Sequence, residues 1–290
     1  MFKVVILGCE NSHANSFLDF IYKDKLYTDV EVVGVYSHDE EAAKKLNETY
    51  GVYVMKSYDE LVGKVDGVIN TARHGDNHYK YCKPYIKSGV PMFVDKPITC
   101  SEEDAINFMK DCKSNNVKVC GGSMLVHANV VKEYKTIVEN KSNGDIIGAS
   151  FRAPLQLNSQ HGGIFFYIQH LISMITEVFG YYPNEITALR NGISVTSIFN
   201  YDTCNVVGYA VGNLKSWNYE ALLMTEKETL FKPVTYEGAS LEEFKEFYAL
   251  LNGEEQNRSY EDFIAPVFII NAIVRSLETG TTQKLNKIEL

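Results

Sequence analysis

The chain is short of positive charge, of paired cysteines and of long apolar runs, and each shortage closes a class of function. Lysine and arginine number 28 against 37 aspartates and glutamates, a net charge of -9. Such a balance disfavours binding to nucleic acid or to an anionic membrane. No apolar stretch approaches the ~20 residues of a membrane span. The six cysteines (Cys9, Cys82, Cys100, Cys112, Cys120, Cys204) contain no C-x-x-C pair and read as free thiols of a reducing cytosol. Met1 to Gly8 is too short, and too soon followed by Glu10, for a signal peptide, so a cytoplasmic location is expected. Catalytic zinc requires three protein ligands in fixed geometry, and no metal is expected. The sequence has neither repeats nor low-complexity segments.

What is present is organised around Phe93-Val94-Asp95-Lys96-Pro97-Ile98-Thr99. Met92, Phe93 and Val94 follow the turn Ser88-Gly89-Val90-Pro91 and read as a short buried strand. An acid, a lysine and a proline come next. A lysine at the end of a buried strand is costly unless its charge or its proton is used. Pro97 fixes its own φ and confines Lys96 to extended backbone. The alternative is a plain surface loop after a strand.

Upstream, apolar strands alternate with helical patterns. Strands are expected at Phe2–Leu7, Val30–Tyr36, Val65–Asn70, Met92–Val94 and Val117–Cys120. Helices are expected over 12–23 (with Ser12 as N-cap), 40–50, 78–87 and 102–115 (with Ser101 as N-cap). This alternation implies right-handed βαβ units and a doubly wound parallel sheet, which binds ligands at the carboxyl ends of its strands. The first such end is Gly8-Cys9-Glu10-Asn11-Ser12-His13-Ala14. Against the dinucleotide fingerprint G-x-G-x-x-G/A, Gly8 supplies the tight turn, Glu10 replaces the second glycine and His13 the third. Backbone N–H groups and the Ser12 hydroxyl can still hold a pyrophosphate; the alternative is a βα turn without nucleotide. At the end of the second strand, Ser37-His38 stands where an acid would favour NAD. That leaves room for a 2′-phosphate and leans toward NADP, with Asp39 close enough to reverse the lean or simply to cap the next helix.

These landmarks resemble the glucose–fructose oxidoreductase / inositol dehydrogenase / rhizopine catabolism (Gfo/Idh/MocA) family of nicotinamide-dependent oxidoreductases. Asp95-Lys96-Pro97 looks like its Glu-Lys-Pro motif with aspartate for glutamate. Asp66 to Thr71 followed by His78 looks like its fourth strand and the histidine after it. The resemblance implies cofactor contacts from Gly8, Cys9, Glu10, Asn11, Ser12, His13, Ser37, His38, Thr71, Ala72, Arg73, His78, Asp95 and Lys96. It also implies an N-terminal Rossmann domain over 1–122 and an α+β domain over 123–290. The latter would carry substrate binding and oligomerisation on an open, mainly antiparallel sheet.

The second half fits that expectation. Helices are expected over 126–139, 240–252 and 259–279, and a long strand over 146–157. Strands follow at short intervals near 185–190, 193–200, 205–211 and 219–225, a spacing of antiparallel neighbours. His161-Gly162-Gly163 to Gly180 resembles the family's glycine-rich lead into a helix carrying Asp-x-x-x-His. His170 matches that histidine, while the aspartate falls on Phe166. Tyr167, three residues before His170, could share its helix face. Otherwise His170 is a core histidine and Tyr167 a packed aromatic.

Two readings follow. The first is an NAD(P)-dependent dehydrogenase acting on a CH–OH group of a sugar, polyol or sugar derivative. Its catalytic residues would be Lys96, His170 and Tyr167, with Arg152, Gln160, Tyr167, His170 and Lys96 addressing substrate; Gln156 and Asn158 are further polar candidates. Strand alternation sends some of these to the wrong face. The second reading is an inactive sugar- or nucleotide-binding regulatory homologue, favoured by Glu10 and Phe166. In either case a homo-oligomer, dimer or tetramer, is expected through the second sheet.

Overall fold

The computed structural model describes residues 1–214 and 217–290. It divides into two compact units, Met1–Gly122 with Ser240–Phe263 and Leu290, and Ser123–Ala239 with Ile264–Glu289.

The first unit alternates β1 (Phe2–Leu7), α1 (Ser12–Leu18), β2 (Val30–Tyr36), α2 (Glu40–Tyr50), β3 (Gly67–Asn70), α3 (Asp76–Ile86), β4 (Met92–Asp95), α4 (Glu102–Ser114) and β5 (Val119–Gly122). The strands form one parallel sheet in the order β2-β1-β3-β4-β5. β3, β4 and β5 are buried at every residue, as strands covered on both faces must be. The expected helix 12–23 is present, its last turn widened at Asp19–Lys23. Its N-cap is Asn11 instead of Ser12, and the Asn11 side chain makes no capping bond because it is used elsewhere. Ser101 does cap α4, its hydroxyl accepting from the Asp104 N–H at 3.3 Å.

The second unit opens with α5 (Asn129–Asn140), β6 (Ile146–Pro154) and α6 (Phe165–Phe179), then β7 (Glu185–Asn191), β8 (Ser194–Asn200), β9 (Asn205–Val211), β10 (Tyr219–Thr225) and β11 (Thr229–Val234). Its seven strands run β11-β10-β6-β9-β8-β7-β12, with β12 at Gln283–Lys284. Neighbours are antiparallel except β6 and β9, which pair in parallel. The chain between those two passes through α6 and a hairpin, a connection long enough for a parallel crossover. One face packs against α6, where Leu171, Ile172 and Ile175 join Phe151, Ala153, Val206 and Ala210 in the core. α6 is buried on nearly every side, the signature of a helix enclosed by its neighbours.

α7 (Ala239–Leu251) and the start of α8 (Tyr260–Thr279) correct the expected boundaries. A second domain over 123–290 assigned them away from the Rossmann sheet, yet Ser240–Phe263 belongs to the first unit. The cause is aromatic packing. Phe244 lies 5.2 Å from Phe17 and 4.6 Å from Tyr27 between ring centroids, with Phe20 and Phe247 alongside. The Tyr248 hydroxyl donates to Asp29 at 2.7 Å. Gly67, at the start of β3, accommodates this helix: a Cβ there would stand 2.7 Å from Leu251 and 2.9 Å from Phe247. Phe244→Ala should therefore cost about 3–5 kcal/mol, the usual penalty for emptying a buried phenylalanine site. Urea denaturation measures it, and a loss under ~1 kcal/mol would show that α7 is not integral to this core.

Candidate active site

The carboxyl ends of β1 to β4 gather the expected cofactor residues. Gly8 holds φ +70, and a Cβ on it would lie 2.3 Å from the Ala72 Cα, so only glycine fits where the first turn meets the end of β3. The Thr71 hydroxyl donates to the Gly8 carbonyl at 3.0 Å and is fully buried; Thr71 and Ala72 shape the turn from behind. His78 is also fully buried, its Nδ1 2.7 Å from the Pro97 carbonyl and its Nε2 2.8 Å from the Ala72 carbonyl. It ties the loop after β3 to the loop after β4. Burial pushes the Cys9 thiol up to about 12, which excludes a thiolate there.

Asp95 is the hub. Its Oδ2 accepts from Asn11 Nδ2 and from His13 Nδ1, each at 2.9 Å, and its Oδ1 accepts from the Lys96 N–H at 2.6 Å. Burial alone would raise its pKa; the His13 charge and hydrogen bond, with Lys96, outweigh burial and lower it. Asn11 and His13, two residues expected to touch the cofactor, are thus spent on Asp95. Glu243, from α7, completes the group. It is fully buried, its Oε2 is 4.0 Å from His13 Nδ1, and neither of its carboxylate oxygens has a hydrogen-bond partner among the described residues. Burial pushes Glu243 up to about 8 against the pull of His13. For His13, burial lowers the pKa, but Asp95 and Glu243 together hold it up at about 9.

Lys96 follows at the strand end, 6% exposed. Burial brings its pKa down to about 8; Asp95 opposes the shift and Arg73 adds to it. A strand-end lysine that shares its proton near neutral pH is suited to acid–base work. The surface-loop alternative for this stretch is set aside.

The region beside Ser37 departs from expectation. The Glu10 carboxylate reaches the end of β2 and accepts from the Ser37 hydroxyl at 2.7 Å and from the Arg73 N–H at 3.1 Å. His38 Nδ1 is 3.9 Å from Glu10. The lean toward NADP rested on the lack of an acid at Ser37, and Glu10 places one there. Donors and acceptors at four strand ends fit a dinucleotide of ribose hydroxyls and phosphates.

In the second unit, His170 and Tyr167 come together with residues the sequence did not mark. His170 is 4% exposed, and its Nδ1 is 2.7 Å from the Ser123 hydroxyl. Tyr167 has its ring 6.0 Å from His170 and 4.8 Å from Trp217. Phe166 packs on His161 at 4.9 Å, and Gln160 Nε2 approaches His161 Nε2 at 3.4 Å. Arg152 is not brought to this cluster. Phe151 points into the core under α6, so Arg152 turns to the opposite face, where it pairs with Glu220 at 3.1 Å. Gln156 and Asn158 line a cleft of about 410 Å³ with Trp217.

One metal-like group exists among the described residues: ligand atoms of His74, Asp76 and Cys100 lie within 4.8 Å of one another. His74 and His78 stand four apart, a spacing the sequence reading passed over, but His78 turns inward to backbone carbonyls. His74 Nδ1 accepts from the Asp76 N–H at 3.3 Å, and burial holds the Cys100 thiol up at about 12, so the trio is satisfied from within.

The Asp95 network makes stability pH-dependent. His13 is raised from 6.5, so its contribution is complete below 6.5 and lost as pH rises through about 9. Glu243 is raised from 4.5, so its burial is unopposed below 4.5 and increasingly costly through about 8. Asp95 is lowered, and its contribution is lost only in acid, as pH falls below its ordinary 3.8. The melting temperature should therefore fall between pH 6.5 and about 8, where both losses act and before Lys96, whose pKa burial brings down to about 8, begins to offset them, and it should fall less in Glu243→Gln. Scanning calorimetry across that interval checks it; a melting temperature that rises with pH contradicts the assignment.

Comparison with known proteins agrees with this geometry. Residues 2–123 match the oxidoreductase family with an NAD-binding Rossmann fold. The chain is 27% identical over 173 residues to an uncharacterized oxidoreductase of Streptococcus pneumoniae, covering 54% of this chain and 46% of that one. It is 23% identical over 215 residues to 2,7-anhydro-N-acetylneuraminate hydratase of Escherichia coli, covering 69% and 53%. The chain thus spans about half the length of the curated relatives it matches. The solved scyllo-inositol dehydrogenase of Lactobacillus casei with bound NAD(H) and scyllo-inositol shares the fold, with a TM-score of 0.83 at 16% identity over 98% of this chain and 99% of that one. Among the described residues no helix is long and apolar enough to cross a membrane. The first unit's sequence is thus similar to the NAD-binding Rossmann domain of the Gfo/Idh/MocA oxidoreductase family, over residues 2–123.

Proposed function

We propose that the protein is an NAD(P)-dependent oxidoreductase that transfers a hydride between nicotinamide and a carbinol carbon of a sugar, polyol or sugar derivative. The observation that carries this reading is Lys96, buried at the carboxyl end of β4 with its pKa brought down to about 8. A bound nicotinamide would supply the hydride chemistry. When a carbinol is oxidised its hydroxyl proton must leave; neutral Lys96 accepts it, and the ammonium returns it in the reverse direction. His170, its ring fixed by Ser123, is the second acid–base group, and Tyr167 is the reserve. The polyhydroxylated substrates named for the hydratase and for scyllo-inositol dehydrogenase support a sugar-like ligand. Phe166, where the family pattern has aspartate, favours the second reading, a binding or regulatory homologue without turnover.

The outer face of the second sheet supports assembly. Ile147, Leu189 and Phe231 are 63%, 64% and 63% exposed there, with Tyr209 at 43%. An apolar face of this kind calls for a cover, and a homo-oligomer through this sheet supplies one. Light scattering at micromolar concentration should report at least a dimer, and Leu189→Glu with Phe231→Glu should shift it toward monomer. A monomeric wild type counts against this assembly.

Lys96→Met tests the catalytic reading, since methionine keeps most of the aliphatic length and loses the proton. Cofactor binding and melting temperature should be nearly preserved while turnover of a polyol substrate falls by at least ~10²-fold. His170→Ala should fall by less, because Tyr167 shares its face, and Tyr167→Phe measures that sharing. Full activity in Lys96→Met would remove Lys96 from the chemistry, whereas a wild type that binds the cofactor and turns over none of the polyols would favour the regulatory reading.

A further inference from the structure

We propose that Glu10 is the residue that selects the adenosine ribose of the cofactor, admitting NAD and rejecting NADP. The inference rests on the nicotinamide-dependent reading above. In a doubly wound dinucleotide fold an acid at the end of the second strand ordinarily accepts the ribose hydroxyls, and its charge repels a 2′-phosphate. Here that strand ends Tyr36-Ser37-His38, without an acid. The carboxylate arrives from the neighbouring turn instead, from the position that the glycine fingerprint gives to its second glycine.

The geometry fixes it in place. One Glu10 oxygen accepts the Ser37 hydroxyl at 2.7 Å and the other accepts the Arg73 N–H at 3.1 Å. The side chain is only 7% exposed. The loops after β1, β2 and β3 thus all converge on one carboxylate. Ser37 has a single hydroxyl proton, which it gives to Glu10, while its oxygen accepts the Asp39 N–H at 3.0 Å. It has no proton left for a phosphate oxygen. His38, 3.9 Å from Glu10, is 58% exposed. A ribose diol can donate to the carboxylate, taking over the role Ser37 plays now. A 2′-phosphate would place like charge against it, in a site too enclosed for full screening.

The test is the dissociation constant of NAD⁺ and of NADP⁺, measured by calorimetry on wild type, Glu10→Gln and Glu10→Gly. The last variant restores the fingerprint glycine, and melting curves confirm that each protein is folded. Wild type should bind NAD⁺ at least tenfold more tightly than NADP⁺. Both variants should cut that ratio to threefold or less, chiefly by gaining affinity for NADP⁺. A wild type that binds NADP⁺ as tightly as NAD⁺, or a ratio unmoved in both variants, overturns the inference and leaves the oxidoreductase reading standing. Binding only after Glu10→Gly would show the carboxylate to be a block and also overturns it. No binding to any of the three proteins overturns both readings.

Discussion

A buried carboxylate, Asp95, is the constraint on which the first unit depends. An uncompensated charge in that position would cost several kcal/mol, and its donors come from the turn after β1 and from the Lys96 N–H. The first turn and the end of β4 are therefore fastened to each other, and the backbone that presents Lys96 is held by the same atoms that neutralise Asp95. His13 takes the fingerprint's third glycine position, where glycine would allow close helix–strand packing. Its imidazole instead lies over Phe17 at 6.0 Å and faces both Asp95 and Glu243. Two departures from the family pattern, at 13 and 95, join the buried acid at 243 in one arrangement. A bulky base fills the space, a short acid receives it, and a second acid holds its proton.

The parallel sheet was legible because its strands are apolar on both faces and punctuated by glycine. The destination of α7 was not, because an amphipathic pattern says that a face will be buried but not against what. Glu243 was missed although a signal existed. It lies four residues before Phe247 on the same helical face, an acid inside an apolar stripe, which in a soluble helix asks for a partner. Arg152 could have been placed by period alone, since a core-facing Phe151 turns its neighbour outward. His78 matched the family spacing, but no spacing says that both ring nitrogens meet backbone carbonyls. The parallel pairing of β6 with β9 was hidden for a similar reason: short intervals identify hairpins and are silent about which strand the sheet closes on.

The second unit is organised differently. α6 is buried on nearly all sides, so a polar group on it must find its partner within protein. For His170 the Ser123 hydroxyl is such a partner. A histidine on this helix is thereby oriented by hydrogen bonding in an otherwise apolar wall, which is compatible with either a packed core or an acid–base role. What distinguishes those roles is activity measured on His170→Ala and Tyr167→Phe, since the helix fixes orientation in both.

The return of α7 to the first unit also sets an order of events during synthesis. The parallel sheet is complete in sequence by Gly122, but Phe17 and Tyr27 wait for Phe244 and Phe247 to cover them. At 5–20 residues per second the ribosome needs on the order of ten seconds to deliver that helix. For that interval the nascent sheet presents an uncovered aromatic patch while most of the second unit emerges behind it. A chaperone that shields aromatic surface would meet this chain in that window, and a stop codon anywhere before α7 would leave the window permanently open.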